Sequence, residues 1–563
     1  MNTSLLTLMS SSLLLLAACV ARGESSGSPR ASAREVSTSL TAKPLNQRAA
    51  PCTGNFKEHL LEHTTQPRGS DGSVYDGNGS GVALGDLDGD GLPEIVLGNL
   101  DGPSTIQWNE GHFQFRTETI SNQFGLPETQ TRAVALVDVD GDGWLDIVFT
   151  HTQGGVGIYH NDQHKHFVAQ TPENASISFP AYTMLWDDLS GNGNLELVTA
   201  SYDAILEAEN KGFLFSNGGG VIVYKHENGT FKAERLWPSS QSLAMVMFDV
   251  NGDGRRDLVV GNDFAVPDFI WLNTKGGWKK VSPFKRITKN TMGFSVADTD
   301  NDGGLELFAT DMKPKFDDVK VLARWMPFMQ KTYEKLQYSS IQRAENVLQR
   351  RSKDGGFQNA AYDLGIDATG WSWSAKFGDL DNDGFEDLYI VNGMIDKENL
   401  KYLPNHELVE SNKVFKNTFG HFQAEPAWKL GSTASGRGMS MTDLDNDGRL
   451  DIVVNNVSSP AQVFENQLCT GQGLEVELDW SGTHNTRAIG ATIQLHTSAG
   501  TMQREVVSQG GYLSGSDPRV HFGAPEGATL DSLEVTWPDG AHSSIEKPTI
   551  NTILKITRDG SKP

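Results

Sequence analysis

Cysteine is nearly absent, with three residues in a chain of 563. That excludes a disulfide-rich scaffold. Basic residues are outnumbered, 47 Lys and Arg against 71 Asp and Glu, for a formal net charge of -24. Phosphate binding needs Lys and Arg, so nucleic acid is not an expected partner. Beyond the first 20 residues no apolar run is long enough to span a bilayer. No Gly-x-Ser-x-Gly elbow, phosphate loop or nicotinamide fingerprint occurs. The chain is instead rich in glycine, at 59 residues, which suits many short strands and turns. Its carboxylates are gathered into short groups, where they would repel one another unless a cation sat between them.

The first group reads ALGDLDGDGLPEIVL, from Ala83 to Leu97. The device recurs seven times, with first acids Asp86, Asp138, Asp188, Asp249, Asp298, Asp379 and Asp443, separated by 52, 50, 61, 49, 81 and 64 residues. One copy could be an acidic surface turn. Seven copies, each leading into a strand-like apolar run, point to a repeat fold. Loop positions 1, 3, 5 and 9 carry side-chain oxygens and position 6 is Gly. The first half matches the start of a calcium loop of the EF-hand type, but the last acid falls at 9 rather than 12, and a strand follows rather than a helix. The expected ligands are Asp86, Asp88, Asp90 and Glu94; Asp138, Asp140, Asp142 and Asp146; Asp188 and Glu196; Asp249, Asn251, Asp253 and Asp257. The last three loops offer Asp298, Asp300, Asp302 and Glu306; Asp379, Asp381, Asp383 and Asp387; and Asp443, Asp445, Asp447 and Asp451. An all-oxygen set favours calcium over zinc or iron, and magnesium prefers smaller sites that keep their waters. Up to seven calcium ions are expected. The third loop is the weakest, because Ser190 and Asn192 replace Asp.

Hairpin signals such as IQWNEGHF, FIWLNTKGGW and KVFKNTFGHF alternate with the loops. Each unit of about 50 residues then holds four strands, the size of a propeller blade. The expected fold is all-β, a seven-bladed β-propeller over residues 51–469. The last hairpin, from Ala461, lacks its closing strand, and GNFKEHLLEH from Gly54 supplies one. That closure would bring Cys52 and Cys469 together, and a disulfide between them is expected. The stretch from Val319 to Arg351 reads as one or two helices, within an insertion of about 315–352, and a smaller insertion spans about 393–412. Residues 471–558 change to short alternating segments and read as a separate β-sandwich-like domain.

At the N-terminus an apolar run ends in Leu16-Ala17-Ala18-Cys19, which resembles a bacterial lipoprotein signal, although no Lys or Arg precedes it. The resemblance implies a signal peptide over 1–18, lipid on Cys19 and, with Val20 next, an outer-membrane location. Residues 19–50 then read as a flexible tether. The repeats resemble FG-GAP or VCBS-type repeats of integrin α-subunit propellers. The tail resembles the ASPIC/UnbV domain through Asn485–Ala491, Arg504–Val506, Gly511-Tyr512, His521–Gly523 and Trp537–Gly540, with Ala524-Pro525 departing from the usual Leu-Gly. With GNDFAVPD and TGWSWS, the whole is similar to bacterial cartilage-acidic-protein-like proteins. That resemblance implies calcium binding and extracellular interactions.

No catalytic constellation is legible. His160, His164 and His166 read as a solvated hairpin turn, His59 and His63 as one face of a strand, and Trp371 and Trp373 as packing between blades. The expected function is binding or adhesion at the cell envelope, with a protein or glycan partner. The alternatives are small-molecule chemistry, as an enzyme or accessory factor, at the propeller mouth, or a structural envelope scaffold.

Overall fold

A computed structural model of the chain describes residues 34–47, 52–67, 74–120, 130–151, 155–163, 165–169, 177, 179–204, 219–227, 230–264, 266–316, 318–333, 341–352, 355–468 and 470–559. Strands make up 51% of the structure and helix 5%, so it is all-β. Sheet 1 takes its strands in chain order, Val82–Gly85, Glu94–Leu97, Ser104–Asn109 and Phe115–Ile120. Six more antiparallel sheets follow, with first strands Thr131–Val137, Thr183–Asp187, Ser242–Phe248, Phe294–Ala297, Gly370–Gly378 and Ser435–Thr442. Each acidic loop joins the first strand of its sheet to the second. The first strand of each sheet neighbours that of the next, and Val82–Gly85 neighbours Ser435–Thr442, so the cycle closes.

Burial explains the strand sequences. In sheet 1 the first three strands are buried on both faces; the first two carry the apolar runs VAL and IVL, while the third, STIQWN, buries polar side chains as well. The fourth strand lies at the rim and is partly exposed along its length. Sheet 7 is completed from the other end of the chain. Asn55–Thr64 pairs antiparallel with Pro460–Gln467, Asn55 opposite Gln467 and Leu60 opposite Gln462. His59 and His63 lie on this strand, as expected. Cys52 precedes it and is exposed, while Cys469 lies outside the described residues.

Three expectations need correction. Residues 34–47, read as part of a flexible tether, enter the C-terminal module. Thr38–Pro44 pairs along its length with Thr552–Asp559, a partner some five hundred residues away that no local pattern reveals. The helix of the insertion ends at Tyr333. Val347–Arg351, at the end of the stretch read as helical but also the start of the hairpin signal NVLQRRSKDGGF, is the third strand of sheet 5 and pairs with Phe357–Asn359. Trp371 does not sit between sheets, whereas Trp373 lies under the Arg437 guanidinium of sheet 7, which is 4.4 Å from its ring centre. Trp371 stacks on Trp325 and Phe328 of the helix, at 5.7 and 4.8 Å, and Trp373 packs on Tyr512 at 5.0 Å.

The C-terminal module is two four-stranded sheets. One holds Thr38–Pro44, Thr552–Asp559, Gln472–Ser481 and Val520–Ala524; the other holds Gly500–Glu505, Thr492–Thr497, Leu530–Thr536 and His542–Glu546. Leu474, Val476, Ile493, Leu495, Leu533, Val535 and Ile556 are buried, inward-facing members of their strands. The module also sends a hairpin, Gln509–Gly510 with Ser514–Gly515, into the axis of the ring. Phe294 and Gly511 exchange backbone hydrogen bonds, and Val134 N–H donates to the Leu513 carbonyl. The Ser514 hydroxyl oxygen accepts from Met439 N–H at 3.1 Å, and the Ser374 oxygen accepts from Tyr512 N–H at 3.1 Å. At the tip, the Tyr512 hydroxyl lies 3.0 Å from that of Tyr182 and donates to the Asn78 carbonyl. Tyr512 is fully buried.

Candidate metal centres

The loops share one local plan. Position 1 turns its carboxylate back onto the loop and accepts backbone N–H groups. Asp86 accepts from Gly89 and Gly91, Asp249 from Gly252, Asp253 and Gly254, and Asp443 from Asp447 and Gly448. This leaves the turn tight enough to need positive φ at position 6, where Gly91 and Gly384 have φ 92° and 95°. Position 4 is also left-handed, filled by Gly in the first four loops and by Asn301, Asn382 and Asn446 in the rest. Position 9 is buried at the start of the second strand in every loop: Glu94, Asp146, Glu196, Asp257, Glu306, Asp387 and Asp451. One of its oxygens accepts the position 2 N–H, as Glu94 does from Leu87 and Asp451 from Leu444.

Positions 1, 3, 5 and 9 therefore converge. Oxygens of Asp86, Asp88 and Asp90 lie within 4.8 Å of one another, as do those of Asp138, Asp140 and Asp142, of Asp298, Asp300 and Asp302, and of Asp379, Asp381 and Asp387. Burial pushes the carboxyls of Asp86, Asp138, Asp298, Asp379, Asp381 and Asp387 up, and like-charged neighbours add to it. Glu94 is raised to about 9, and Asp379 and Asp445 each to about 7. Asp387, Asp443 and Asp451 are raised well above the usual range for the same reason. Cationic side chains reach towards most of the loops. Lys165 meets Asp88, Arg255 meets Asp253, and Lys416 meets Asp381 and, at 2.9 Å, Asp383. Arg350 stands 3.8 Å from Asp300, and Arg449 3.2 Å from Asp447. An all-oxygen cluster that attracts every available cation fits a hard divalent ion.

Two loops differ. In the second, His160 Nδ1 lies 3.0 Å from Asp140 and 3.1 Å from Asp146, so this histidine belongs to the acidic loop rather than to a solvated turn. His166 pairs with Asp162, and His164 lies outside the described residues. In the third, Asn192 and Ser190 stand where other loops have acids. The Ser190 hydroxyl donates to Glu196 at 3.2 Å, so Asp188 and Glu196 are its only ligand-position carboxylates.

One set of residues escaped sequence reasoning. Asn109, Asn161, Asn273, Asn417 and Asn466 end third strands, and each side-chain amide bridges two sheets. Asn466 donates to its own loop at Leu450 and to the preceding loop at Leu380; Asn417 does the same to Glu386 and Thr299. Asn109 closes the circle from sheet 1 to Leu444 of sheet 7. The signal was present as the recurring Asn of WNEG, HNDQ, LNTK, KNTF and ENQL. The position 4 Asn residues link loops in the other direction: Asn301 to Gly384, Asn382 to Gly448 and Asn446 to Gly91.

The C-terminal module docks on this same face. The Thr486 hydroxyl donates to Asp138, and Arg487 donates to the Gly143 carbonyl at 3.0 Å. Arg519 donates to Asn446 at 2.6 Å, and His521 lies 2.8 Å from the Asn382 side chain. Asn485–Ala491, Gly511-Tyr512 and His521–Gly523, the tail motifs, are thus the residues that meet the loops and the axis.

A ring of four- and five-stranded sheets with acidic first turns, capped by a two-sheet module, defines a propeller-type repeat protein. Family models agree: the FG-GAP-like repeat matches residues 86–149, 138–199 and 249–309, and the ASPIC and UnbV model matches 481–563. The chain combines FG-GAP repeats with an ASPIC/UnbV domain and is homologous to cartilage acidic protein 1. Against the mouse protein of that name it is 23% identical over 576 residues, covering 86% of this chain and 75% of the relative. Integrin alpha-V of Gallus gallus is 29% identical over 216 residues, 37% of this chain and 19% of that one. Among solved structures, the BP39L lectin from Burkholderia pseudomallei aligns with 69% of this chain and 96% of its own, at 10% identity and a TM-score of 0.39.

Proposed function

We propose that the protein is a calcium-stabilised binding or adhesion module of the cell envelope, in which each of the seven sheets is one blade. The observation that carries this reading is the convergence of positions 1, 3, 5 and 9 in loop after loop around the ring. FG-GAP repeats in integrin-like proteins commonly bind calcium, which supports the choice of ion. Asp and Glu at those positions would supply the ligands, with the side-chain carbonyl of Asn251 serving in the fourth loop. The ion's charge would offset repulsion that the metal-free loops must bear.

A binding role also suits the face opposite the C-terminal module. There the helix Val319–Tyr333 joins the second insertion, with Arg324 donating to the Val409 carbonyl and the Tyr402 hydroxyl to that of Arg324. Phe316, Val319 and Met326 are exposed beside them. Among the described residues the ring axis is filled by the 509–515 hairpin, which leaves little room for small-molecule chemistry in a central channel. Cys19 as lipid anchor, the Cys52–Cys469 bridge and an outer-membrane location remain part of the proposal. So does a protein or glycan partner.

The test is a pull-down with residues 34–563 immobilised in calcium, offered envelope extract and a glycan panel, then eluted with chelator. A saturable partner released by chelation is expected. Folded, calcium-loaded protein that retains nothing would contradict the binding role.

A further inference from the structure

A cavity of about 150 Å³ lies between the ring and the C-terminal module. That is the space of about five water molecules. Its charged lining divides unevenly. The carboxylates already have partners. Glu386 pairs with Arg504 at 3.3 Å and Glu475 with His521 at 2.7 Å. Asp517 accepts from the Thr442 hydroxyl and Arg519 N–H, Asp379 from Asp383 and Gly384 N–H, and Glu505 pairs with Arg256 at 3.2 Å.

The donors are not used up. Arg504 and Gln509 are each 7% exposed, yet Arg504 Nη2 and Gln509 Nε2 have no hydrogen-bond partner. Lys376, on the first strand of sheet 6, is held by two hydroxyls, Ser516 at 2.9 Å and Ser440 at 3.3 Å. It makes no ion pair among the described residues. An ammonium has three N–H groups, so two hydroxyl partners leave one over. Burial without a direct counter-charge lowers its pKa to about 8. Buried donors left without acceptors are costly, and each calls for a ligand or ordered water. The remaining wall is apolar, with Phe294, Phe377, Met441 and Leu450.

We propose that this cavity binds a small monocarboxylate. Its two oxygens would accept from the unused N–H groups of Arg504, Gln509 and Lys376, and a short alkyl chain would lie on the apolar wall. Lys376 belongs to the ring, Arg504 and Gln509 to the C-terminal module. The bound anion would therefore fasten one to the other. The inference does not depend on calcium, and its failure would leave the metal reading untouched.

The test is calorimetric titration of the full calcium-loaded chain with sodium butyrate, at constant ionic strength. Sodium acetate, inorganic phosphate and sodium chloride serve as separate arms. One saturable butyrate site per chain is expected, with weaker acetate binding and none for chloride. Gln509→Leu and Lys376→Met should each weaken it about tenfold or more, the scale of losing a hydrogen bond to a charged group. Tyr362→Ala, at an exposed residue outside the cavity lining, should leave it unchanged. If Lys376→Met fails to fold, Gln509→Leu and the wild-type titration still decide. No saturable heat would mean that the cavity holds only water. Phosphate binding in place of butyrate, or unchanged affinity in Gln509→Leu, would equally overturn the proposal.

Discussion

The third and seventh loops occupy equivalent turns and do different electrostatic work. The seventh gathers Asp443, Asp445, Asp447 and Asp451, and burial with mutual repulsion pushes Asp443, Asp445 and Asp451 up. The third has Asp188 and Glu196 at its ligand positions, with Ser190 and Asn192 making neutral hydrogen bonds instead. Its neighbours differ as well. Asn466 staples sheet 7 to the loop before it, whereas His226 stands at the corresponding place in sheet 3, stacked on Phe231. A turn that gives up carboxylates can close on hydrogen bonds alone. A turn that keeps four carboxylates close together, two of them buried, bears a repulsion that a cation would relieve.

Removing the metal should therefore have the largest effect. Chelation is expected to lower the calorimetric melting temperature by about 10 °C or more, since several tight sites act together. The drop should be greater at pH 8 than at pH 5.5. Buried carboxyls such as Glu94, raised to about 9, and Asp445, raised to about 7, bind more protons folded than unfolded. The metal-free fold thus loses stability as pH rises from the unfolded carboxyl range towards those values. Calcium supplies the missing charge at high pH and competes with protons at low pH. A chelator effect independent of pH would contradict the assignment of the charge to these loops.

The next largest effect separates the two loops. Asp445→Asn should remove one calcium per chain and cost about 2–4 kcal/mol at saturating calcium, on the scale of a ligand bound well above its dissociation constant. Asn192→Ala, at a ligand position of the third loop, should change calcium content little; equal losses would erase the distinction. Asn466→Ala leaves the Leu380 and Leu450 carbonyls without their buried donor, for about 1–3 kcal/mol by denaturant unfolding. His226→Ala should cost less. The smallest shift is expected for Asn192→Asp, which restores a carboxylate to the third loop and should raise calcium uptake there with little change in melting.

The same contrast explains what the sequence could reveal. Each loop packs its carboxylates and its turn glycine into nine residues, so all seven loops were legible, as was the loss of two acids from the third. Ring closure was legible because the strand missing after Ala461 reappears at Gly54. Thr38–Pro44 was not, since its strand character depends on a partner at the far end of the chain. The axial hairpin was hidden for a related reason. Tyr512 and its neighbours form a short glycine-rich turn whose burial is decided by all seven first strands together. The bridging Asn residues were visible as a repeat, but their meaning required knowing which carbonyls they face.

The most direct test is calcium content by elemental analysis after dialysis into metal-free buffer with trace calcium. Wild type and Asp445→Asn would be compared side by side, each checked for folding by circular dichroism. The account predicts several tightly held calcium ions in the wild type and one fewer in Asp445→Asn. A folded wild-type protein that retains no calcium, and melts identically with and without chelator, would contradict it.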